Sequence, residues 1–199
     1  MPPDAADPRL RLFVGLFVPA AAARELHTTV RGILAGAGFR FVPPEEIHLT
    51  LRFVGETQES RVEGLRASLE RSLSGLPAPR LRLARTGSFP ETGSARVLWV
   101  GLDEDPGTEG RLSALALASE AAVVESGCGA PSADPFHPHL TVARPSRFGR
   151  CLPPEDFRRL SLAVRWLPAE VRLVESRPGQ AGDGRFPAIA SFPLLRDSA

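Results

Sequence analysis

The sequence predicts an α+β fold made of two similar strand–helix–strand lobes. Three observations carry that prediction. Strand-patterned and helix-patterned segments alternate in both halves of the 199-residue chain. The tripeptide His-Leu-Thr occurs twice, at 48–50 and 139–141, where composition alone expects about 0.02 copies, so the pair is an internal repeat. No linker is long or polar enough to part independent domains, and residues 1–199 are read as one bilobal domain whose first few residues are flexible.

The elements follow in order. Residues 9–18 (RLRLFVGLFV) are rich in β-formers and stop at Pro19, which predicts a buried strand. Residues 20–35 carry Leu26, Val30, Ile33 and Leu34 on one helical stripe, with Gly36 as the stop. A short extended piece at 39–42 ends at Pro43. Residues 47–54 (IHLTLRFV) alternate as a strand, ended by Gly55; 57–73 predict a helix capped by Thr57, with Val62, Leu65, Leu69 and Leu73 inward. The pattern then recurs. Strands are expected at 81–89 and 96–102, a helix at 108–124 with Leu112, Leu115, Ala116 and Val123 inward, and strands at 138–144, 171–176 and 186–192. Residues 127–135 (GCGAPSADP) and 177–184 read as loops.

Composition excludes several chemistries. The chain contains no Lys, Tyr or Asn, and all 24 of its basic residues are Arg. There is therefore no Schiff-base lysine, no P-loop lysine and no lysine to carry a nucleotidyl group, which removes ligases that work through an adenylated lysine. The net charge of +1 does not advertise nucleic-acid binding, so any anion site is built locally from arginine and backbone groups. No apolar run reaches membrane-spanning length, and the acidic first residues do not resemble a secretory signal, so a cytoplasmic protein without membrane contact is expected. Cys128 and Cys151 fit no zinc spacing and are read as unpaired thiols.

The chemistry lies in the repeat. In a strand, residues i and i+2 share a face. His48 and Thr50 then face one way while Leu49 and Leu51 enter the core, and His139 and Thr141 stand likewise against Leu140 and Val142. Two such strands side by side gather two imidazoles and two hydroxyls around one small pocket. Phosphodiester cleavage by water needs a base for the nucleophile and an acid for the leaving oxygen, and histidine serves both near neutral pH. The threonines would hydrogen-bond the non-bridging phosphate oxygens. The arrangement requires no metal, and no cofactor is expected.

With RLFVGLFVP at the start, HLTLRFVGE around the first motif and FHPHLTVARP around the second, the chain resembles the 2H phosphoesterases, and is most similar to the bacterial RNA 2′,3′-cyclic phosphodiesterases, also described as 2′-5′ RNA ligases. The resemblance implies a bilobal fold with a central cleft and hydrolysis of an RNA 2′,3′-cyclic phosphate end to a 2′-phosphate. It also implies His48 as proton donor, His139 as proton acceptor, and Thr50 and Thr141 as phosphate ligands. The expected partner is RNA with a cyclic phosphate end, or a small cyclic nucleotide, and the expected state a monomer. The alternatives are a cyclic phosphodiesterase for another small nucleotide such as ADP-ribose cyclic phosphate, ATP-independent 2′-5′ ligation, and an RNA-binding module that catalyses nothing.

Arg144, three residues past Thr141, suits phosphate contact through its planar guanidinium, but strict alternation sends it to the opposite face unless the strand bends. By the same alternation Arg52 shares the face of His48 and Thr50. His27 is read as an exposed helix residue. His137 pairs with His139 as a metal-site decoy without a third ligand. Phe13, Phe41 and Phe53 could stack a base, with core packing the default for each. The arginines of 80–85 form a solvated strand face that could guide an RNA backbone.

Overall fold

The computed structural model describes residues 7–146, 152–160 and 162–197. In chain order the elements are β1 (Arg9–Phe17), α1 (Ala20–Ile33), β2 (Phe39–Phe41), β3 (His48–Gln58), α2 (Val62–Leu73), β4 (Leu81–Phe89), β5 (Val97–Glu104), α3 (Arg111–Glu125), β6 (His139–Pro145), α4 (Glu155–Arg158), β7 (Arg165–Trp166), β8 (Glu170–Glu175) and β9 (Ala188–Pro193). The expected alternation of strands and helices holds in both halves.

The strands form one antiparallel sheet in the order β7-β4-β5-β6-β3-β1-β8-β9, with β2 added to β6. The lobes meet at β3 and β6, the two His-Leu-Thr strands, through the register pair Leu49–Leu140. β1 lines the outer side of β3 and β5 the outer side of β6. One face of the sheet is covered by helices. Leu49, Leu51, Leu140 and Val142 join a single core with Leu65 and Leu69 of α2, Leu112, Leu115 and Val123 of α3, and Leu26 and Val30 of α1. Burying these side chains supplies about 1.5–3 kcal/mol each before entropy is counted.

Several boundaries differ from the sequence expectation. Gly55 does not end the first motif strand. It adopts φ +92°, and the β1/β3 register shifts beside it, with Leu12 opposite Gly55 and Phe13 opposite Phe53. The glycine makes a bulge and the strand runs on to Gln58. Thr57 is correspondingly a buried strand residue opposite Leu10 and caps nothing; α2 begins after a 3₁₀ turn at Glu59–Arg61. Helix α4 and strand β7, with four and two residues, were not expected, being too short to show a period. Cys128 is a free thiol, and Cys151 lies outside the described residues. Among the described residues no helix is long and apolar enough to cross a membrane.

Candidate active site

A pocket of about 280 Å³ lies over the junction of β3 and β6, lined by Val42, Glu46, His48, Thr50, His139, Thr141, Arg144, Arg185 and Phe186. It gathers all five residues expected from the sequence. From the Leu49–Leu140 pair, one step either way along the antiparallel register brings His48 level with Thr141 and Thr50 level with His139. Each histidine is therefore level with the threonine of the other motif on one face of the sheet, and the site has an approximate two-fold arrangement.

The histidines are anchored identically. His48 Nδ1 donates to the Glu46 carbonyl at 2.7 Å, and His139 Nδ1 donates to the His137 carbonyl at 2.7 Å, in each case two residues back along the chain. A carbonyl can only accept, so Nδ1 carries the proton in the neutral ring and Nε2 is the nitrogen left for chemistry. Aromatic rings hold the imidazoles from the outer strands. Phe13 stacks on His48 with centroids 4.7 Å apart, while Phe17 lies at 5.3 Å and Phe186 meets it edge-on at 4.9 Å. On the other side Phe89 packs edge-on to His139 at 5.1 Å and Trp99 lies at 6.3 Å. Gly87 makes room for that indole, since a Cβ there would overlap its ring.

This enclosure sets the electrostatics. Burial pushes the His48 imidazole down from 6.5 to about 4; its hydrogen bond to Glu46 opposes the shift, and the nearby His139, Arg144 and Arg185 add to it. His139 is lowered too, first by burial and then by His137 and Arg144, against its bond to the His137 carbonyl. Burial also lowers Arg144, with Arg40 and Arg185 adding to the effect. The Glu46 carboxyl is raised by burial, opposed by Arg185 and a backbone bond from Gly182. The pocket is thus a half-buried site, cationic through Arg144 and Arg185, that favours an anion between its two histidines.

Two bulges decide which arginine belongs to it. Across β5 and β6, Trp99 faces Thr141 but Leu98 faces Ala143, so Val142 is an extra residue that inverts the alternation. Arg144 is thereby turned to the face of His139 and Thr141. Across β1 and β3, Gly15 faces Thr50 but Val14 faces Arg52, so Leu51 is the extra residue and the same inversion occurs. Here it overturns the expectation for Arg52, which leaves the site face and pairs with Glu120 of α3 at 2.5 Å. The residue three places past each Thr returns to the site face: Arg144 in one motif, Phe53 in the other. Phe53 stands 45 % exposed with the Arg11 guanidinium over its ring.

The remaining sequence candidates lie elsewhere. His27 is half-buried rather than exposed, and its Nδ1 donates to the carbonyl of Val42, at the pocket rim, at 2.9 Å. Phe13 is buried against His48, and Phe41 meets His27 edge-on. His137 packs on Trp99 and Phe89. Arg80 and Arg82 pair with Asp197, Asp103 and Asp105 at the surface. Sequence reasoning missed Arg185 and Phe186. Their only signal is an Arg-Phe pair closing a glycine-rich loop before the last strand. Arg185 Nη1 is buried and has no hydrogen-bond partner among the described residues, and its guanidinium stacks on Phe186 at 5.0 Å.

Comparison with known proteins gives the family and the fold. Residues 16–99 match the family described as LigT-like phosphoesterases. An RNA 2′,3′-cyclic phosphodiesterase of Thermus thermophilus is 37 % identical over 153 residues, covering 74 % of this chain and 75 % of that protein. The chain belongs to the LigT-like phosphoesterase family. Solved structures extend the likeness to the whole fold. A Thermus thermophilus protein superposes with TM-score 0.73 at 30 % identity, covering 95 % of this chain and 100 % of that one. Escherichia coli LigT complexed with 3′-AMP superposes with TM-score 0.74 at 25 % identity, covering 94 % and 99 %. The bilobal α+β architecture expected from the sequence is the architecture of this LigT-like family.

Proposed function

We propose that this chain works as a single bilobal domain that hydrolyses RNA 2′,3′-cyclic phosphate ends to 2′-phosphates by histidine acid–base catalysis. One observation carries the reading: two histidines, each with Nδ1 tied to the carbonyl two residues back, present Nε2 to the same cationic pocket. The names of relatives such as the Thermus thermophilus enzyme support the substrate class.

In this reading His139 Nε2 takes a proton from water as the water oxygen attacks phosphorus. The P–O3′ bond breaks, and His48 Nε2–H hands its proton to the departing 3′-oxygen. Thr50 and Thr141 donate to the non-bridging oxygens, and Arg144 and Arg185 balance their charge. His48 must be protonated to act, yet burial favours its neutral form. The cyclic phosphate resolves this conflict, because its negative charge beside the ring favours the imidazolium. Catalysis thereby couples to substrate binding. We place the enzyme in the cytoplasm as a monomer.

Chromatographic assay of purified protein with excess EDTA tests the reading. An RNA oligonucleotide ending in a 2′,3′-cyclic phosphate should be opened faster than ADP-ribose cyclic phosphate, with no joined product from added 5′-hydroxyl RNA at low RNA concentration. Tight RNA binding without any product would favour a binding module instead.

A further inference from the structure

Arg40 of β2 stands directly opposite Arg144 of β6 in the antiparallel register. Residues opposed in this way share one face of the sheet. Arg144 lines the catalytic pocket, so Arg40 stands on the pocket side as well. The alternation along this stretch agrees. Val42, two residues on from Arg40, also lines the pocket, while Phe39 and Phe41 pack against the core on the other face. Arg40 itself is exposed and lies just outside the pocket lining, next to Arg144. Like charges placed directly opposite each other across a strand pair repel. The pKa of Arg144 records this, being lowered first by burial and then by Arg40 and Arg185. No carboxylate enters that balance, and among the described residues Arg40 and Arg144 form no ion pair. Arg80 and Arg82, the arginines expected to guide an RNA backbone, are by contrast each matched to aspartates. Two opposed guanidiniums without a carboxylate offer donors and charge to an anion outside the pocket.

The place of the pair along the strands says which anion it meets. On β6 the site-face residues follow in the order His139, Thr141, Arg144, and the residues level with them are Thr50, His48 and Arg40. The two arginines therefore lie beyond His48, at the end of the pocket away from His139. His48 hands its proton to the leaving 3′-oxygen, and that oxygen belongs to the ribose. The ribose, and the chain attached to it through C5′, accordingly lie at the arginine end, while water arrives from the His139 end. The next negative charge along an RNA chain is the 5′-phosphodiester of that same terminal nucleotide.

We propose that Arg40, beside Arg144, binds the 5′-phosphodiester of the nucleotide that carries the cyclic phosphate. This assignment rests on the hydrolytic function proposed above and on His48 as the donor. It makes the enzyme favour the ends of RNA chains over free nucleoside cyclic phosphates, through a charge that does not touch the reacting phosphorus.

The test is steady-state kinetics on the full chain with a pair of RNA dinucleotides that end in a 2′,3′-cyclic phosphate. One carries the ordinary phosphodiester linkage and the other an uncharged methylphosphonate in the same place. At low salt wild type should show a KM lower by about five-fold for the phosphodiester, the upper range for an exposed ion pair. The difference should shrink as salt is raised. Arg40→Gln should abolish it by raising the phosphodiester KM alone, with kcat unchanged, and Arg40→Lys should restore part of it. Tm should not fall in Arg40→Gln, because the side chain is exposed and faces a like charge. Arg66→Gln, which removes one exposed positive charge from α2, should keep the difference. Equal KM values in wild type, a difference that survives in Arg40→Gln, or an equal rise for both dinucleotides in that variant would overturn the assignment. Failure of wild type to open either dinucleotide would instead defeat the hydrolytic function itself, and the phosphodiester site with it.

Discussion

Leu49 and Leu140 are register partners across the junction of the two lobes. Both are buried, and both lie between a His and a Thr that face the other way. A packing contact on the helix side of the sheet therefore sets the spacing of the pocket groups on the other side. Because the residues next to this pair are His48, Thr50, His139 and Thr141, the core fixes the geometry of the pocket.

Replacing either histidine should remove most activity without unfolding the protein. His48→Ala and His139→Ala are each expected to slow turnover by about 10²–10⁴-fold, the usual contribution of a positioned acid or base. Circular dichroism should show an unchanged fold. Near-normal turnover in either variant would displace that residue from the proposed mechanism.

The bulges at Leu51 and Val142 predict opposite effects for two arginines that look alike in sequence. Arg144→Ala should raise KM for the cyclic phosphate by about ten-fold or more, as expected for loss of a charge-assisted hydrogen bond, with little change in Tm. Arg52→Ala should leave KM alone and cost about 1–3 kcal/mol of stability, because it removes the ion pair to Glu120 and the hydrogen bonds to the Phe53 and Ala130 carbonyls. Paired kinetic and thermal-unfolding measurements separate the two. A KM effect at Arg52 would show that the first strand keeps its alternation.

The same pair shows how far the site was legible in sequence. Alternation along His-x-Thr correctly put His48 with Thr50 and His139 with Thr141. Past each Thr it failed, because a bulge depends on the pairing strand and leaves no mark in the motif itself. Gly55 illustrates the ambiguity, as a glycine that suits a stop suits a bulge equally. The long strands and helices were legible through their periods. α4 was not, although it buries Phe157 completely, because four residues make only one turn. Arg185 and Phe186 reach the pocket by tertiary folding of the segment before β9, which no local pattern announces.

Activity should respond to pH through the buried imidazoles. Burial holds both below the ordinary histidine value, His48 at about 4. In free enzyme the protonated donor therefore becomes scarce as pH rises past about 4, and kcat/KM should fall on the alkaline side. Bound cyclic phosphate favours the imidazolium, so the alkaline limb of kcat should lie at higher pH than that of kcat/KM. Coincident limbs in a steady-state pH series would contradict this coupling.

Stability should follow the same shift with a definite sign. His48 is depressed from 6.5 to about 4 on folding, so between these values the unfolded chain binds the proton that the folded chain refuses. Stability contributed by neutral His48 is present above pH 6.5 and declines on acidification towards pH 4, by up to about 1.4 kcal/mol per pH unit for one group. Urea unfolding should show a shallower decline over this range for His48→Gln than for wild type. Parallel curves would mean that His48 does not resist protonation.

Removing the Arg185 guanidinium, whose Nη1 has no hydrogen-bond partner among the described residues, should separate charge from packing in the pocket. Arg185→Met keeps the aliphatic stem over Phe186 and removes the buried charge that faces Glu46, His48 and Arg144. It is expected to weaken inorganic phosphate binding, read by calorimetry, by about ten-fold while leaving Tm little changed, since Arg185 Nη1 is buried without a hydrogen-bond partner among the described residues until an anion arrives. Unchanged phosphate affinity would take Arg185 out of the anion site.

In the proposed mechanism the two anchored histidines open a 2′,3′-cyclic phosphate by expelling its 3′-oxygen. Phosphorus NMR of a defined cyclic-phosphate dinucleotide, incubated with the full chain and excess EDTA, tests this step most directly. The cyclic-phosphate resonance should give way to that of a single 2′-phosphomonoester; an unchanged spectrum, or a 3′-phosphomonoester, would contradict the mechanism.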